Sequence, residues 1–186
     1  MKPTEAVAAA YDSAADALFI SSLGTATSAL RRVSDDGPHL YLGGAMGCGL
    51  AVAVGVADAR PDREVVAVIG DGDLVMGAGA LWSLSGLRPG NLVVLVLDDG
   101  RYSITGGQEV VAPDATAAVV GALPGVSSER ATSAAAVAAA VDSLPRPAVV
   151  LARIDEPEWP GPSPFVDPPL VLRRFAAAAA AAAVGA

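Results

Sequence analysis

The sequence predicts an α/β protein, a three-layer sandwich with a mostly parallel central sheet. The apolar runs VVAVI (65–69) and LVVLVL (92–97) have strand length and lack the polar alternation of a half-exposed strand. Segments with helical character precede and separate these runs, and strands that alternate with helices form parallel sheets. The 186 residues are enough for one domain with a substantial core, so we expect a single domain over 1–186.

The first third of the chain supplies two helices and a strand. An amphipathic helix is predicted over 3–17, because its alanines recur on one side. The run LFISS (18–22) is a short strand that ends in a turn at Leu23-Gly24-Thr25. A second helix passes through Arg31, and the turn Asp35-Asp36-Gly37-Pro38 ends it.

The middle of the chain repeats the helix–strand order. A helix of small residues follows the glycines of 43–47 and extends to about Arg60. The strand 65–69 comes next, and then a helix over 74–87 in spite of two internal glycines, with Trp82 on this helix expected to pack in the core. The breaker sequence Arg88-Pro89-Gly90-Asn91 ends that helix and leads into the strand at 92–97.

The last part of the chain contributes a loop, a helix, a strand and an extension. The predicted elements are a polar glycine-rich loop at 99–108, an alanine-rich helix at 131–143 and a buried strand at 148–154. The segment 155–186 is predicted to be a proline-rich extension, running over the surface at 156–169, and a C-terminal helix at 171–183.

Composition excludes several classes of function. The net charge of −8 disfavours nucleic acid and anionic membrane surfaces as partners. Lys2 is the only lysine and His39 the only histidine, which excludes an internal Schiff-base or phosphate-loop lysine and a histidine-based zinc site. The sequence contains neither GxSxG nor GxxxxGK[ST], so it lacks the anchors of common hydrolases and NTPases.

Cysteine usage and hydropathy predict a cytoplasmic location. Cys48 is the only cysteine, which fits a reducing compartment and a role in helix packing. No apolar stretch reaches the roughly 18 residues that a membrane span requires. Glu5, Asp12 and Asp16 interrupt the apolar pattern of the amino-terminal segment, which therefore does not resemble a signal peptide.

Acidic residues follow the two most apolar strands. Asp71 lies in Gly70-Asp71-Gly72 after the first strand, and Asp99 lies in Asp98-Asp99-Gly100 after the second. Parallel strands side by side would bring both carboxylates to the carboxyl edge of the sheet, where open α/β sheets bind ligands. The flanking glycines allow a close approach of the backbone. These features predict a hard divalent cation that holds a phosphorylated ligand.

Three segments carry a resemblance to a known family. The stretch 70–108, GDGDLVMGAGALWSLSGLRPGNLVVLVLDDGRYSITGGQ, resembles the cofactor signature of thiamine diphosphate enzymes in its GDG, its spacing and its later acidic pair. HLYLGGAMG (39–47) and TGGQ (105–108) resemble segments of sulfopyruvate and phosphonopyruvate decarboxylases, and PPLVLRRF (168–175) is similar to their carboxyl terminus. The resemblance is to the diphosphate-binding (PP) domain, and above all to the separate β subunit of sulfopyruvate decarboxylase.

The resemblance implies a set of cofactor-binding residues. Mg²⁺ would be bound by the side chains of Asp71 and Asp99 and by the backbone carbonyl of Arg101. Near the diphosphate, the resemblance implies Gly24, Thr25, Gly70, Gly72 and Asp73. It implies that Tyr102 lies in the cleft. At the other end of the cofactor, Gly44 would be the hydrogen-bond acceptor for the aminopyrimidine, and Met46 would be the side chain that supports the bent cofactor.

Two positions depart from the family pattern. Asp73 replaces the Ser, Ala or Cys that usually follows GDG, and Asp99 replaces the commoner Asn. Both changes add negative charge near a diphosphate. We therefore expect thiamine diphosphate binding to depend steeply on Mg²⁺, unless Asp73 points outward.

The family resemblance also implies a partner. Thiamine diphosphate enzymes use a glutamate on a pyrimidine-binding (PYR) domain, and no glutamate of this chain lies in a recognisable PYR motif. The expected catalytic residue is thus not in this chain but in a PYR-domain subunit, in an α2β2 or larger heteromer. The implied activity is decarboxylation of a 3-substituted pyruvate such as sulfopyruvate or phosphonopyruvate. An acetolactate synthase-like carboligase subunit and a non-catalytic assembly subunit remain alternatives.

Overall fold

The computed structural model describes residues 1–35, 37–111, 113–156, 158 and 167–181. Eight strands are present in these ranges: β1 Leu18–Ser21, β2 Leu40–Tyr41, β3 Val65–Gly70, β4 Leu92–Asp98, β5 Arg101–Tyr102, β6 Gln108–Glu109, β7 Ser127–Ala131 and β8 Ala148–Arg153. Eight helices accompany them: α1 Pro3–Ser13, α2 Thr25–Val33, α3 Gly49–Ala59, α4 Asp71–Met76, α5 Ala80–Leu87, α6 Pro113–Gly121, α7 Ala134–Ser143 and α8 Pro168–Ala180.

Six strands form one parallel sheet in the order β2-β1-β3-β4-β8-β7. β5 and β6 form a separate antiparallel pair outside this sheet. In the centre, β3 pairs with β4 from Val65 opposite Leu92 to Gly70 opposite Leu97. The residues that follow each strand therefore emerge side by side at one edge of the sheet.

Helices cover both faces of the sheet and make three layers. On one face, Ala6 of α1, Ala29 of α2 and Val137 of α7 are buried in a core with the β3 side chains Val66 and Val68. On the other face, α3, α5 and α8 bury apolar residues against Val65, Ala67 and Ile69 of the same strand. Because both faces of β3 are buried, its sequence is apolar throughout, and the predicted fold class is confirmed.

The sequence prediction missed five elements and misplaced some boundaries. It did not identify β2, α6 or β7, and it assigned a loop to 99–108, where β5 and the start of β6 lie. β7 has the sequence SSERA and four of its five residues are at least partly exposed, since it lies at an edge of the sheet. The predicted helix 3–17 ends at Ser13, the helix at 131–143 begins at Ala134, and α8 begins at Pro168, within the stretch predicted to be extended.

The predicted helix over 74–87 is two helices, α4 and α5, with a turn at Gly77–Gly79 between them. A Cβ atom on Gly77 would lie 2.1 Å from the Gly47 carbonyl oxygen. The backbone of the 43–47 loop therefore passes directly over this turn, and only glycine fits at position 77.

Two further outcomes concern the C-terminal segment and the helices as a group. Most of the predicted extension, 157 and 159–166, and the last predicted helical residues, 182 and 183, lie outside the described residues. Within those that are described, none of the helices is long and apolar enough to cross a bilayer.

His39 lies in an aromatic cluster with Tyr11, Phe19 and Tyr41. Its ring makes edge contacts with all three at centroid distances of 5.6–6.1 Å, and the residue is 4% exposed. A Cβ on Gly37 would overlap the imidazole, so the ring fills space that only a glycine leaves open. Burial lowers the pKa of His39 to about 4, while a hydrogen bond to the Ser34 backbone works in the opposite direction. His39 is therefore a neutral residue of the core.

We expect His39 to make the free energy of unfolding fall more steeply as the pH is lowered. The unfolded chain takes up a proton on this side chain near pH 6.5, but the folded chain does so only near pH 4. Between these values the single histidine should cost up to about 3 kcal/mol of stability. In urea titrations at pH 7 and pH 5, the His39→Phe variant should lose less stability on acidification than the wild type. Equal losses would contradict a buried neutral histidine.

Candidate active site

A cavity of about 120 Å³ lies at the carboxyl edge of the parallel sheet. It is formed by the residues that follow β1, β3, β4 and β8, together with the loop between β5 and β6. Nine of the eleven predicted cofactor-binding residues line it: Thr25, Met46, Gly70, Asp71, Gly72, Asp73, Asp99, Arg101 and Tyr102. The sheet therefore gathers residues from distant parts of the sequence around one space.

Asp71 is the first residue of α4 and is held by backbone amides. One carboxylate oxygen accepts a hydrogen bond from Gly72 N at 2.8 Å, and the other accepts one from Gly100 N at 2.8 Å. The second bond reaches from the end of β3 to the loop after β4. It fixes the carboxylate at the boundary between the two strand ends, with only 6% of the residue exposed.

The electrostatic environment of Asp71 is unfavourable for a carboxylate. Burial, and after it the charge of Asp99, raise the pKa of Asp71 to about 6, although the two amide hydrogen bonds act in the opposite direction. Two like charges therefore lie close together in a poorly hydrated space. A bound cation would relieve this repulsion directly.

Asp99 and Asp98 point to different partners. Asp99 accepts hydrogen bonds from Arg101 N at 2.9 Å and from the Ser103 hydroxyl, and it lines the cavity. Asp98 is not among the lining residues, and its carboxylate lies 3.7 Å from the Arg153 guanidinium. Of the two adjacent acidic residues, Asp99 is thus the one whose side chain faces the cavity.

The loop after Asp99 folds back over the cavity. The Tyr102 ring packs on Gly72, where a Cβ would come within 2.5 Å of it. Ile104 packs in the same way on Gly24, whose φ of +58° and close contact both require glycine. Arg101 is exposed and donates to the Gly107 carbonyl at 3.1 Å, which closes the β5–β6 hairpin. Side chains of the chain itself therefore cover this part of the site.

Asp73 does not point outward, contrary to the condition attached to it in the sequence analysis. It is 4% exposed, and its carboxylate accepts a hydrogen bond from Gly47 N at 2.8 Å. Burial raises the pKa of Asp73, and the amides of Gly47 and Gly49 lower it. The N-cap of α4 is Gly70, and Asp73 lies in the first turn of the helix. Its side chain connects α4 to the 43–47 loop.

Two predicted residues are not among those that line the cavity. Gly24 precedes α2 and lies beneath Ile104. Gly44 is exposed, and its carbonyl accepts a hydrogen bond from Met46 N at 3.0 Å. The role of the Gly44 carbonyl as an acceptor for the aminopyrimidine stays a prediction.

Sequence reasoning missed several cavity residues. Ser22 and Ile154 follow β1 and β8 at the same sheet edge, so the argument used for Asp71 could have found them once those strands were placed side by side. Pro3, at the start of α1, gave no signal in the sequence. Trp82 was expected in the core but is 66% exposed, and Cys48 is exposed instead of packed within a helix.

The donor atoms suit a hard cation such as Mg²⁺. Carboxylate and carbonyl oxygens are the ligands that Mg²⁺ takes from proteins, and two close carboxylates supply an uncompensated negative charge. In the described part of the chain no group of three or more His, Cys, Asp or Glu side chains could hold a metal. A cation at Asp71 and Asp99 would therefore need further oxygens from the backbone, water or a ligand.

Fold and site together define a class: a parallel α/β domain with a cavity lined by carboxylates at the carboxyl edge of its sheet. The sequence profile of a family described as "Thiamine pyrophosphate enzyme, C-terminal TPP binding domain" matches residues 22–151. The chain belongs to this family, in agreement with the resemblance noted in the sequence. The match begins at the end of β1 and includes both Asp71 and Asp99.

The chain is also similar in sequence to individual decarboxylases. The chain is 43% identical over 96 residues to a phosphonopyruvate decarboxylase of Streptomyces viridochromogenes, covering 52% of this chain and 24% of that one. It is 36% identical over 93 residues to the sulfopyruvate decarboxylase subunit beta of Methanothermobacter thermautotrophicus, covering 50% of each chain. The matched region thus spans a quarter to a half of these relatives.

The fold recurs among solved structures. One is a putative thiamin diphosphate-dependent enzyme from Mycobacterium smegmatis, with a TM-score of 0.67 and 23% identity. The superposition covers 84% of this chain and 32% of that one. At this identity the likeness establishes the shared fold.

The repulsion at Asp71 predicts that a neutral replacement stabilises the cation-free chain. Ionisation of Asp71 costs the fold stability as the pH rises from the ordinary carboxyl pKa of 3.8 to the raised pKa of about 6, so Asp71→Asn should increase the free energy of unfolding by about 1–2 kcal/mol at pH 7.5. The gain should shrink at pH 5, where the folded wild type is protonated. Urea titrations with EDTA measure both values. Asp58→Asn, at an exposed carboxylate, is the control, and an Asp71→Asn variant less stable than the wild type would contradict the prediction.

Proposed function

We propose that this chain is the diphosphate- and Mg²⁺-binding subunit of a heteromeric, thiamine diphosphate-dependent 2-oxo acid decarboxylase. The substrate would be a 3-substituted pyruvate with a second anionic group, of the sulfopyruvate or phosphonopyruvate type. A PYR-domain partner would supply the catalytic glutamate. The observation that carries the proposal is the pair Asp71 and Asp99 at one sheet edge, in a chain that belongs to the thiamine diphosphate-binding family.

The cofactor would enter the cavity with its diphosphate toward the two carboxylates. Asp71 and Asp99, with the carbonyl of Arg101, would hold Mg²⁺, and the cation would neutralise both the carboxylates and the diphosphate. This is how a chain with one lysine and a net charge of −8 could bind so anionic a group. Met46, which lines the same cavity, would support the rings of the cofactor.

In this proposal the cofactor and the protein chain have different roles. Thiamine diphosphate, when bound, supplies an electron sink for the electron pair left when CO₂ departs from a 2-oxo acid. This chain would bind and orient it, and the loop with Tyr102 and Ile104 would have to shift to admit it. Arg101 and Thr105 are exposed at the cavity rim and are candidates to contact the second anionic group of the substrate.

A partner subunit is supported by the relatives. Several are named as beta subunits of sulfopyruvate decarboxylase, and this chain matches about half of each. We propose an α2β2 or larger assembly with the active site between the subunits, located in the cytoplasm. The exposed apolar side chains of Met76 and Trp82 are consistent with a surface that another subunit covers.

The test is reconstitution with the product of the adjacent reading frame, which the proposal expects to be a PYR-domain subunit. CO₂ release should be measured from sulfopyruvate, phosphonopyruvate, pyruvate and benzoylformate, with and without thiamine diphosphate and Mg²⁺. Release that requires both, and that is highest for an anionic 3-substituent, supports the proposal. An acyloin product would identify a carboligase instead. Absence of thiamine diphosphate binding by the complex would indicate an assembly role.

Asp99 predicts a steep Mg²⁺ requirement. Its charge faces the diphosphate, so the cation must offset an additional repulsion that asparagine would not create. Asp99→Asn should therefore tighten thiamine diphosphate binding by roughly threefold to tenfold at low Mg²⁺ and much less at saturating Mg²⁺. Calorimetric titrations of the complex at several Mg²⁺ concentrations measure this.

The matched control is Asp98→Asn, which removes the neighbouring charge that faces Arg153 and not the cavity. Its Mg²⁺ dependence should resemble that of the wild type. Unchanged or weaker cofactor binding by Asp99→Asn at every Mg²⁺ concentration would rule out the electrostatic explanation.

A further inference from the structure

Asp73 occupies an unusual position for a carboxylate. It lies in the first turn of α4, two residues after Asp71, and it lines the same cavity. Its Oδ1 accepts a hydrogen bond from Gly47 N at 2.8 Å. Its Oδ2 is buried and makes no hydrogen bond of good geometry among the described residues, although the nearby Gly49 amide lowers the pKa of the carboxyl. Burial therefore removes the carboxylate from water, and one well-formed hydrogen bond to a loop 26 residues earlier in the chain replaces part of its hydration.

The 43–47 loop has little internal support. Its short-range backbone hydrogen bonds are Met46 N to Gly44 O at 3.0 Å, Ala45 N to Leu42 O at 3.3 Å and Cys48 N to Ala45 O at 3.3 Å. Gly43 and Gly47 both have positive φ, at +64° and +83°. Residues 43–45 are exposed, so packing does not fix them.

Gly47 is the point at which this loop is attached to α4 and to the turn after it. Its carbonyl packs on Gly77, and Met76 lies over it, with Cγ 3.0 Å from the position that a Cβ of Gly47 would take. Its amide is bound by Asp73. Gly49, just beyond, leaves room for the carboxylate, because a Cβ there would lie 2.9 Å from Asp73 Oδ2. The glycines and the carboxylate therefore fit one another.

We propose that Asp73 is a positioning residue that fixes the 43–47 loop to α4, so that Met46 and Asp71 are held at a set separation on the two sides of one cavity. This inference rests on the proposed function for its ligand. A single helical turn would then position both ends of thiamine diphosphate: Asp71 the cation and diphosphate, and Asp73 the loop that contacts the rings. Asp73 itself does not bind the cation.

The first test measures the loop without any cofactor. Amide hydrogen exchange at Gly47, followed by NMR, reports the Asp73 bond directly. In Asp73→Ala the Gly47 amide should exchange at least about tenfold faster, because it loses its acceptor. In Asp73→Asn the side-chain carbonyl can still accept the bond, so exchange should stay near the wild-type rate. Equal Gly47 exchange in wild type and Asp73→Ala would overturn the inference.

The second test separates positioning from electrostatics. The complex with its PYR-domain partner is titrated with thiamine diphosphate and, separately, with inorganic diphosphate, both with Mg²⁺. Asp73→Ala should weaken thiamine diphosphate about tenfold and leave inorganic diphosphate unchanged or slightly tighter, because the smaller ligand does not reach the loop. Asp73→Asn should keep most of the thiamine diphosphate affinity. Weakening of both ligands by the same factor, or tighter thiamine diphosphate binding in Asp73→Ala, would overturn the inference.

The two tests also separate this inference from the proposed function. Wild-type complex that fails to bind thiamine diphosphate would refute the function, whereas Gly47 exchange decides the role of Asp73 in the loop by itself. Thermal unfolding of both variants checks that each is folded. Asp73→Asn, which changes the charge but keeps the shape, remains informative if Asp73→Ala does not fold.

Discussion

The site depends on the parallel pairing of β3 with β4. Residue-for-residue register up to Gly70 opposite Leu97 brings two acidic strand ends to the same edge at the same height. Gly100 N then reaches across to Asp71, and Asp99 comes close enough for its charge to raise the pKa of Asp71. A shift of this pairing by two residues would move the carboxylates apart by about 7 Å, and the proposed cation site would be lost.

Backbone groups and glycines build most of what surrounds these carboxylates. Asp71 and Asp73 are held by backbone amides of residues 72, 100 and 47. Close approaches of Tyr102 to Gly72 and of Gly47 to Gly77 are possible only because a Cβ is missing. Buried ionised carboxylates lower the free energy of unfolding of the chain when no cation is bound. A bound cation would offset this cost, and a trade of stability against function is common at functional sites.

The sequence identified elements whose burial leaves a composition signal. β3, β4 and β8 are buried on both faces and are apolar throughout, so their positions were predictable to within a residue or two. β7 was missed because an exposed edge strand needs no apolar run. Trp82 was misjudged because large aromatic residues are usually buried, and nothing local to a sequence shows that a surface has been left uncovered.

By itself, the sequence determined the fold class, the family and the acidic strand ends, because these follow from local composition and from spacing along the chain. Only the tertiary structure decided which carboxylate faces which partner. It turned Asp98 toward Arg153 and Asp99 toward the cavity, and it buried Asp73 under the 43–47 loop although an exposed position was conceivable. The physical reason is that a side chain's partners come from elements far away in sequence, and their approach is set by packing and register rather than by neighbouring residues.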